Sequence, residues 1–315
     1  MIAFTSFFRF LARHARLVLI AGLVIGILLP QLALIVREYL PPLVALTLAM
    51  AALRIGPRAA RGSLGDLRLS LRLVAIYQVI LPLALAAAFH GFGLNGALAT
   101  ALVLMAAAPS ISGAPNIAAM TGNDPAPALR LLIAGVALAP LTVIPVFLLW
   151  PGFGSPASVA SASLKLLLLI AGAAAIAFVI RQTFFPEPSR ETIEVIDGAS
   201  ALAMSVLVIG LMSAVGPASI AAPLSVLRML LIVFAVNLGL QLAAFAVLGR
   251  TGHQQARVAW SVVAGNRNIA LFLAALPASL VEPLFLFIGC YQVPMYLTPV
   301  LLDWLYRPQA AQQGD

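Results

Sequence analysis

Along this chain, apolar stretches of about 20 residues, the length that crosses a bilayer's hydrocarbon, alternate with short polar clusters. Hydropathy predicts ten crossings, at residues 17–36, 40–55, 69–90, 95–121, 126–149, 162–181, 196–216, 223–248, 256–279 and 282–305. The runs are continuous and lack the period-two alternation of a membrane barrel. They are therefore expected as helices, which satisfy their own backbone in lipid. The opening MIAFTSFFRFLARHARLVLIAG has the basic-then-apolar order of a secretory signal. It lacks a small-residue cleavage site and many crossings follow, so it is expected to be retained.

Composition supports the same class. With 63% hydrophobic residues, 9% charged residues and a mean hydropathy of +1.08, the chain cannot coat a soluble domain. The net charge of +8 comes almost wholly from arginines in the segments between crossings. Arg9, Arg13 and Arg16 precede the first, Arg54, Arg58, Arg61 and Arg68 follow the second, and Arg250 and Arg257 follow the eighth. The positive-inside rule places these segments, and both termini, on the cytoplasmic side of a bacterial-type inner (plasma) membrane. The lipid bilayer is thus the expected partner, and the charge implies no nucleic acid. A lone cysteine, Cys290, excludes an intramolecular disulfide and a cysteine metal cluster. The polar stretch 181–197 is expected as a linker between halves.

Two near-identical hexapeptides lie inside apolar runs, GAPNIA at Gly113–Ala118 and GNRNIA at Gly265–Ala270, a shift of 152. At a shift of 154, Pro140, Pro145, Val146, Leu148 and Trp150 are answered by Pro294, Pro299, Val300, Leu302 and Trp304. Two motifs in one order at nearly one offset predict that residues 1–160 and 161–315 are repeats of five crossings each. An odd number of crossings inverts the second repeat relative to the first. Within the motifs, Pro109 and Pro115 remove backbone donors from span 4, and Gly265, Asn266 and Asn268 interrupt span 9. Carbonyls freed at membrane depth are tolerated where they line a protein-enclosed cavity. Two readings stay open: broken helices that cross near the midplane and form a substrate site, or Gly/Pro kinks that serve packing.

These residues resemble the bile acid:sodium symporter family over nearly the whole chain. The resemblance rests on Ala108-Pro109 at the start of the first break, Asn116 at its end, Tyr77-Gln78 followed by Pro82 in span 3, and Gly265, Asn268 and Leu271 in span 9. It implies an all-α membrane fold of ten helices in two inverted repeats, with crossed broken helices at spans 4 and 9. Spans 1, 2, 6 and 7 would form a panel, and spans 3–5 and 8–10 a core. It also implies secondary transport of an organic anion with Na⁺ by alternating access. The expected substrate and ion site is Gln78, Ser112, Pro115, Asn116, Arg130, Gly265, Asn266, Arg267 and Asn268.

The sequence departs from the family at the Na⁺ ligands. Val263 and Arg267 stand where the family has a glutamate and a glutamine, and Arg130 and Ala134 where it has a serine and a threonine. Of that set Asn116 and Gln78 remain. A hard cation needs oxygen ligands and negative charge, and like unit charges 4 Å apart repel by roughly 4 kcal/mol at an effective dielectric near 20. The expectation is therefore a carrier without the family's Na⁺ sites and without a cofactor. Arg267 has four readings: surrogate for the lost ion, lock on the crossover, bidentate ligand for a carboxylate or sulfonate, or cap on freed carbonyls. Arg130 either joins the site or snorkels to the cytoplasmic face. Asn237 and Gln241 are expected to bond between helices.

Every acidic residue falls in a loop, at a span end or in the tail, so no carboxylate relay crosses the interior and uniport or anion exchange is favoured over proton coupling. No motif of enzyme chemistry lies near the breaks. The alternatives are a Na⁺-coupled symporter with relocated ligands, a channel, and a non-transporting binding or sensor protein.

Overall fold

A computed structural model describes residues 2–62 and 67–307 of the chain. The acidic positions Asp66 and Asp315 lie outside the described residues. Among the described residues the fold is 86% helix without strands, and seven helices are long and apolar enough to cross a membrane, or eight spans if the bent pair Thr5–Arg13 and Ala15–Leu28 counts as one. The seven are Leu40–Gly62, Leu67–Gly91, Ala126–Leu149, Pro156–Phe184, Arg190–Ala221, Pro223–Leu248 and Ala278–Leu301. This is the architecture of an all-helical, multi-pass membrane protein. Ala126–Leu149 and Pro223–Leu248 have the bounds that hydropathy gives, because both begin at start signals. Asp124 Oδ1 accepts the Ala126 N–H at 2.9 Å, and prolines occupy the first turns.

Three of the expected crossings are not continuous helices. Residues 17–36 divide into Ala15–Leu28 and Pro30–Glu38, because Leu29, preceding a proline, is held out of the helical region (φ −117°, ψ 71°). Residues 95–121 divide into Ala97–Ala107 and Ala114–Met120. Residues 256–279 divide into Arg257–Gly265 and a 3₁₀ stretch, Ile269–Ala274. Within Leu67–Gly91, the turn Ile76–Ile80 is a π-helix.

The chain forms two compact units, each assembled from separated stretches. The first comprises Met1–Gly62, Leu164–Val226 and Ala270–Gly289. Its organising element is helix Arg190–Leu211, which packs against Ile2–Arg13, Ala15–Leu28, Pro30–Glu38 and Leu40–Gly62. Lipid supplies no hydrophobic drive between helices, so close contact comes from small residues. Gly22 and Gly26 lie against Ser205 and Ile209, and the Ser205 hydroxyl donates to the Val18 carbonyl at 2.8 Å. A side chain at Gly198 would collide with the Phe8 carbonyl. The acids of the stretch 181–197 pair with arginines of helices Ile2–Arg13 and Leu40–Gly62: Glu191 and Glu194 with Arg9 (3.0 and 2.8 Å), Asp197 with Arg54 (2.5 Å) and Glu187 with Arg58 (3.1 Å). Residues 270–289 are tied into this unit by Arg37, which pairs with Glu282 and sits 3.7 Å over the Phe285 ring.

The second unit comprises Ser63–Ser163, Leu227–Ile269 and Cys290–Asp315. Helix Ala126–Leu149 packs against Leu67–Ala75, Leu81–Gly91, Ala114–Met120 and Arg257–Gly265. Trp150 is buried at its end and donates to Thr100 Oγ1 at 3.1 Å. Its counterpart by the 154-residue shift, Trp304, is 68% exposed. The proline pairs Pro140/Pro145 and Pro294/Pro299 both sit inside long helices.

Candidate functional site

Both hexapeptides lie at breaks of the second unit, and each break has a local cause. Helix Ala97–Ala107 ends because Ala108 precedes Pro109 and takes an extended conformation (φ −68°, ψ 146°). The Met105 carbonyl, which Pro109 cannot serve, is bonded by the Ala108 N–H at 3.2 Å. The chain resumes as Ala114–Met120 with Pro115 in the first turn, where a missing N–H costs nothing. Pro115 therefore starts a helix and frees no carbonyl. The other helix, Arg257–Gly265, ends at Asn266, also extended (φ −102°, ψ 92°).

The two extended pieces pair with each other. The Ile111 N–H donates to the Asn266 carbonyl at 3.1 Å, and the Asn268 N–H to the Pro109 carbonyl at 2.7 Å. Ser110 and Arg267 thereby form an antiparallel bridge, the one isolated bridge among the described residues. Each break thus satisfies part of the other's backbone.

Arg267 completes this pairing from a fully buried position, at 0% exposure. Its Nε donates to the Ala264 carbonyl at 3.0 Å, Nη1 to Ala108 at 3.1 Å and Nη2 to Tyr77 at 3.0 Å. All three acceptors have lost a helical partner. Asn268, which would serve Ala264, is turned toward Pro109, and Ala108 ends its helix. In the π-turn the Leu81 N–H reaches the Ile76 carbonyl, so Tyr77 would need a donor at Pro82, which has none. The guanidinium also lies 5.1 Å from the Tyr77 ring centroid. No carboxylate pairs with Arg267 among the described residues. The planar fork of donors makes one side chain sufficient for three carbonyls on three elements.

A neutral network supports the second break. Asn237 Nδ2 donates to the Gly265 carbonyl at 2.6 Å and to Asn266 Oδ1 at 3.3 Å, while Asn266 Nδ2 donates to the Val262 carbonyl at 2.8 Å. Gln241 Nε2 reaches Asn237 Oδ1 (2.8 Å) and Thr298 Oγ1 (3.1 Å), and the Tyr306 hydroxyl donates to Gln241 Oε1 at 3.2 Å. The Tyr291 hydroxyl donates to the Gly265 carbonyl and lies 3.4 Å from the Arg267 backbone N–H. Asn237 and Gln241 thus bond between helices. Gly265 is required there, because a Cβ would overlap the Asn237 carbonyl and Gln241 Cγ.

The nine expected site residues separate into groups. Gly265, Asn266 and Arg267 are buried in the paired breaks, and Asn268 joins through its backbone with a half-buried side chain. Gln78 is buried beside them in the π-turn, where its Oε1 accepts from Thr142 at 3.1 Å. Ser112 is half-buried and Asn116 exposed, and neither side chain forms a hydrogen bond among the described residues. Arg130 is exposed on helix Ala126–Leu149, without an ion pair among the described residues. Val263 is a buried apolar side chain. Sequence reasoning missed Tyr291, Thr298 and Tyr306. Tyr291 and Thr298 lie seven residues apart, two turns on one helix face, and that spacing was the available signal.

No protein-family model matches this chain, and no curated protein matches it either.

Proposed function

We propose that this protein is a secondary carrier of a small organic anion, with the Arg267 guanidinium bracing the two breaks where a coupling cation would otherwise sit. The observation that carries the reading is the set of three carbonyls, from three elements, bonded by that one buried side chain. A permanent cation at the crossover repels a second cation and leaves no need for one. The reading places ten crossings in two inverted five-helix repeats, with the broken helices 4 and 9 crossed at the paired segment. The division of the chain into two discontinuous units supports alternating access.

With Arg267 and Asn266 committed to structure, substrate contact falls to groups beside the breaks that carry unspent polar atoms: Ser112, Asn116 and Asn268. Amide N–H and hydroxyl donors suit a carboxylate or sulfonate. Reconstitution in liposomes tests the reading. Uptake of a panel of carboxylates and sulfonates should saturate, accelerate with substrate on the far side, and proceed equally in Na⁺ and choline. Asn116→Ala and Asn268→Ala should each reduce uptake about tenfold or more without lowering the melting temperature, since a lost hydrogen bond to a charged ligand is worth about 1.5–3 kcal/mol. Na⁺-dependent uptake would favour relocated ion ligands, and binding without flux would identify a non-transporting relative.

A further inference from the structure

The N-terminal helix Ile2–Arg13 has no counterpart among the ten expected crossings. It is joined to Ala15–Leu28 through the single non-helical residue His14 (φ −110°, ψ 25°), and residues Thr5–Arg13 run at 84° to that helix. Neither proline nor glycine stands at the bend. One side of the helix is occupied within its own unit: Phe8 packs its backbone on Gly198, Leu11 is buried, and Arg9 pairs with Glu191 and Glu194. The opposite side exposes Phe7 (51%) and Phe10 (57%), with Phe10 stacked on His14 at 4.3 Å. Arg13 flanks this aromatic strip, and Arg16 stands in the first turn of the next helix, beyond the bend. Both are exposed and form no hydrogen bond or ion pair among the described residues.

We infer that Ile2–Arg13 is an interfacial helix that docks on the anionic lipids of the leaflet beside the N-terminus. The inference rests on the membrane reading of the helices. If Ala15–Leu28 begins a crossing, an element at 84° to it runs along the membrane surface, and His14 marks headgroup depth. An aromatic strip flanked by arginines is the pattern of helices that lie in that plane, rings among the acyl chains and guanidiniums on phosphate. Arg13 and Arg16 lie on either side of the bend, at the level of the phosphates, so their charge complements an anionic headgroup.

The test uses the full chain with Cys290→Ala as background, carrying a nitroxide at Phe10→Cys or Arg13→Cys, in vesicles of phosphatidylcholine with or without phosphatidylglycerol. The expected result is a label at position 10 that collides with lipid-soluble oxygen in preference to an aqueous nickel complex, more so when phosphatidylglycerol is present, and the reverse preference at position 13. Arg13→Gln with Arg16→Gln should weaken the phosphatidylglycerol dependence by about fivefold per arginine, while elution as a single species stays unchanged. Three results would overturn the inference. Position 10 could be open to nickel in both vesicles, or lipid-exposed without regard to phosphatidylglycerol. Shielding from both reagents would mean that a protein surface, a second copy included, covers the helix.

Discussion

At the first break the backbone leaves the helix because Pro109 follows Ala108, and it re-enters with Pro115 in the first turn. At the second, no proline is present, and the same exit is held by the side chains of Asn266, Arg267 and Asn237. By the 152-residue shift, Pro115 corresponds to Arg267 and Ala114 to Asn266. One break is therefore written into the backbone and leaves Ser112 and Asn116 uncommitted, whereas the other commits Asn266 and Arg267 to holding it together and leaves only the Asn268 side chain free. Near-identical motifs can thus divide the work, and a polar residue inside a span indicates a ligand site only after its structural partners are counted.

The comparison breaks most severely at Arg267. Arg267→Met would leave three buried carbonyls without donors, each costing about 1–3 kcal/mol, so the variant should lose most of its stability and its single elution peak in detergent. Arg267→Lys should restore less than half of the loss, because an ammonium lacks the planar fork that reaches three acceptors. Equal melting temperatures for Met and wild type would remove the brace from the account. Gly265→Ala comes next. Its methyl must displace the Asn237 carbonyl, and a loss of about 1–3 kcal/mol is expected, read as a lower melting temperature. The smallest effect belongs to Pro115→Ala, which should stay within about 0.5 kcal/mol of wild type because a first-turn N–H needs no helical partner. A large loss there would show that the first break depends on Pro115 as heavily as the second depends on Arg267.

The sequence made some of this legible and hid the rest for physical reasons. Helices Ala126–Leu149 and Pro223–Leu248 were readable end to end, because continuous apolarity coincides there with prolines at the start. The two breaks were readable from glycine, proline and asparagine inside apolar runs. The acceptors of Arg267 were hidden, because Tyr77 and Ala108 are 190 and 159 residues away and accept through backbone atoms that carry no side-chain signature. The roles of Asn266 and Asn268 were also hidden, since only tertiary contact with Asn237 and Thr298 separates two asparagines of one motif. The bend at His14 escaped because it contains no helix breaker. Arg130 is left between its two readings: it is exposed on helix Ala126–Leu149 and, among the described residues, forms no hydrogen bond to the paired segment, which fits a snorkelling side chain as well as a site residue.

The most direct test of the central claim is amide hydrogen exchange across residues 105–115 and 262–270 of the reconstituted protein, compared in Na⁺ and in choline. The donors of the paired breaks, Ile111 and Asn268, report there. A guanidinium brace predicts strong protection that is the same in both salts. Protection that appears or deepens only with Na⁺ would mean that an ion, and not Arg267, holds the breaks together.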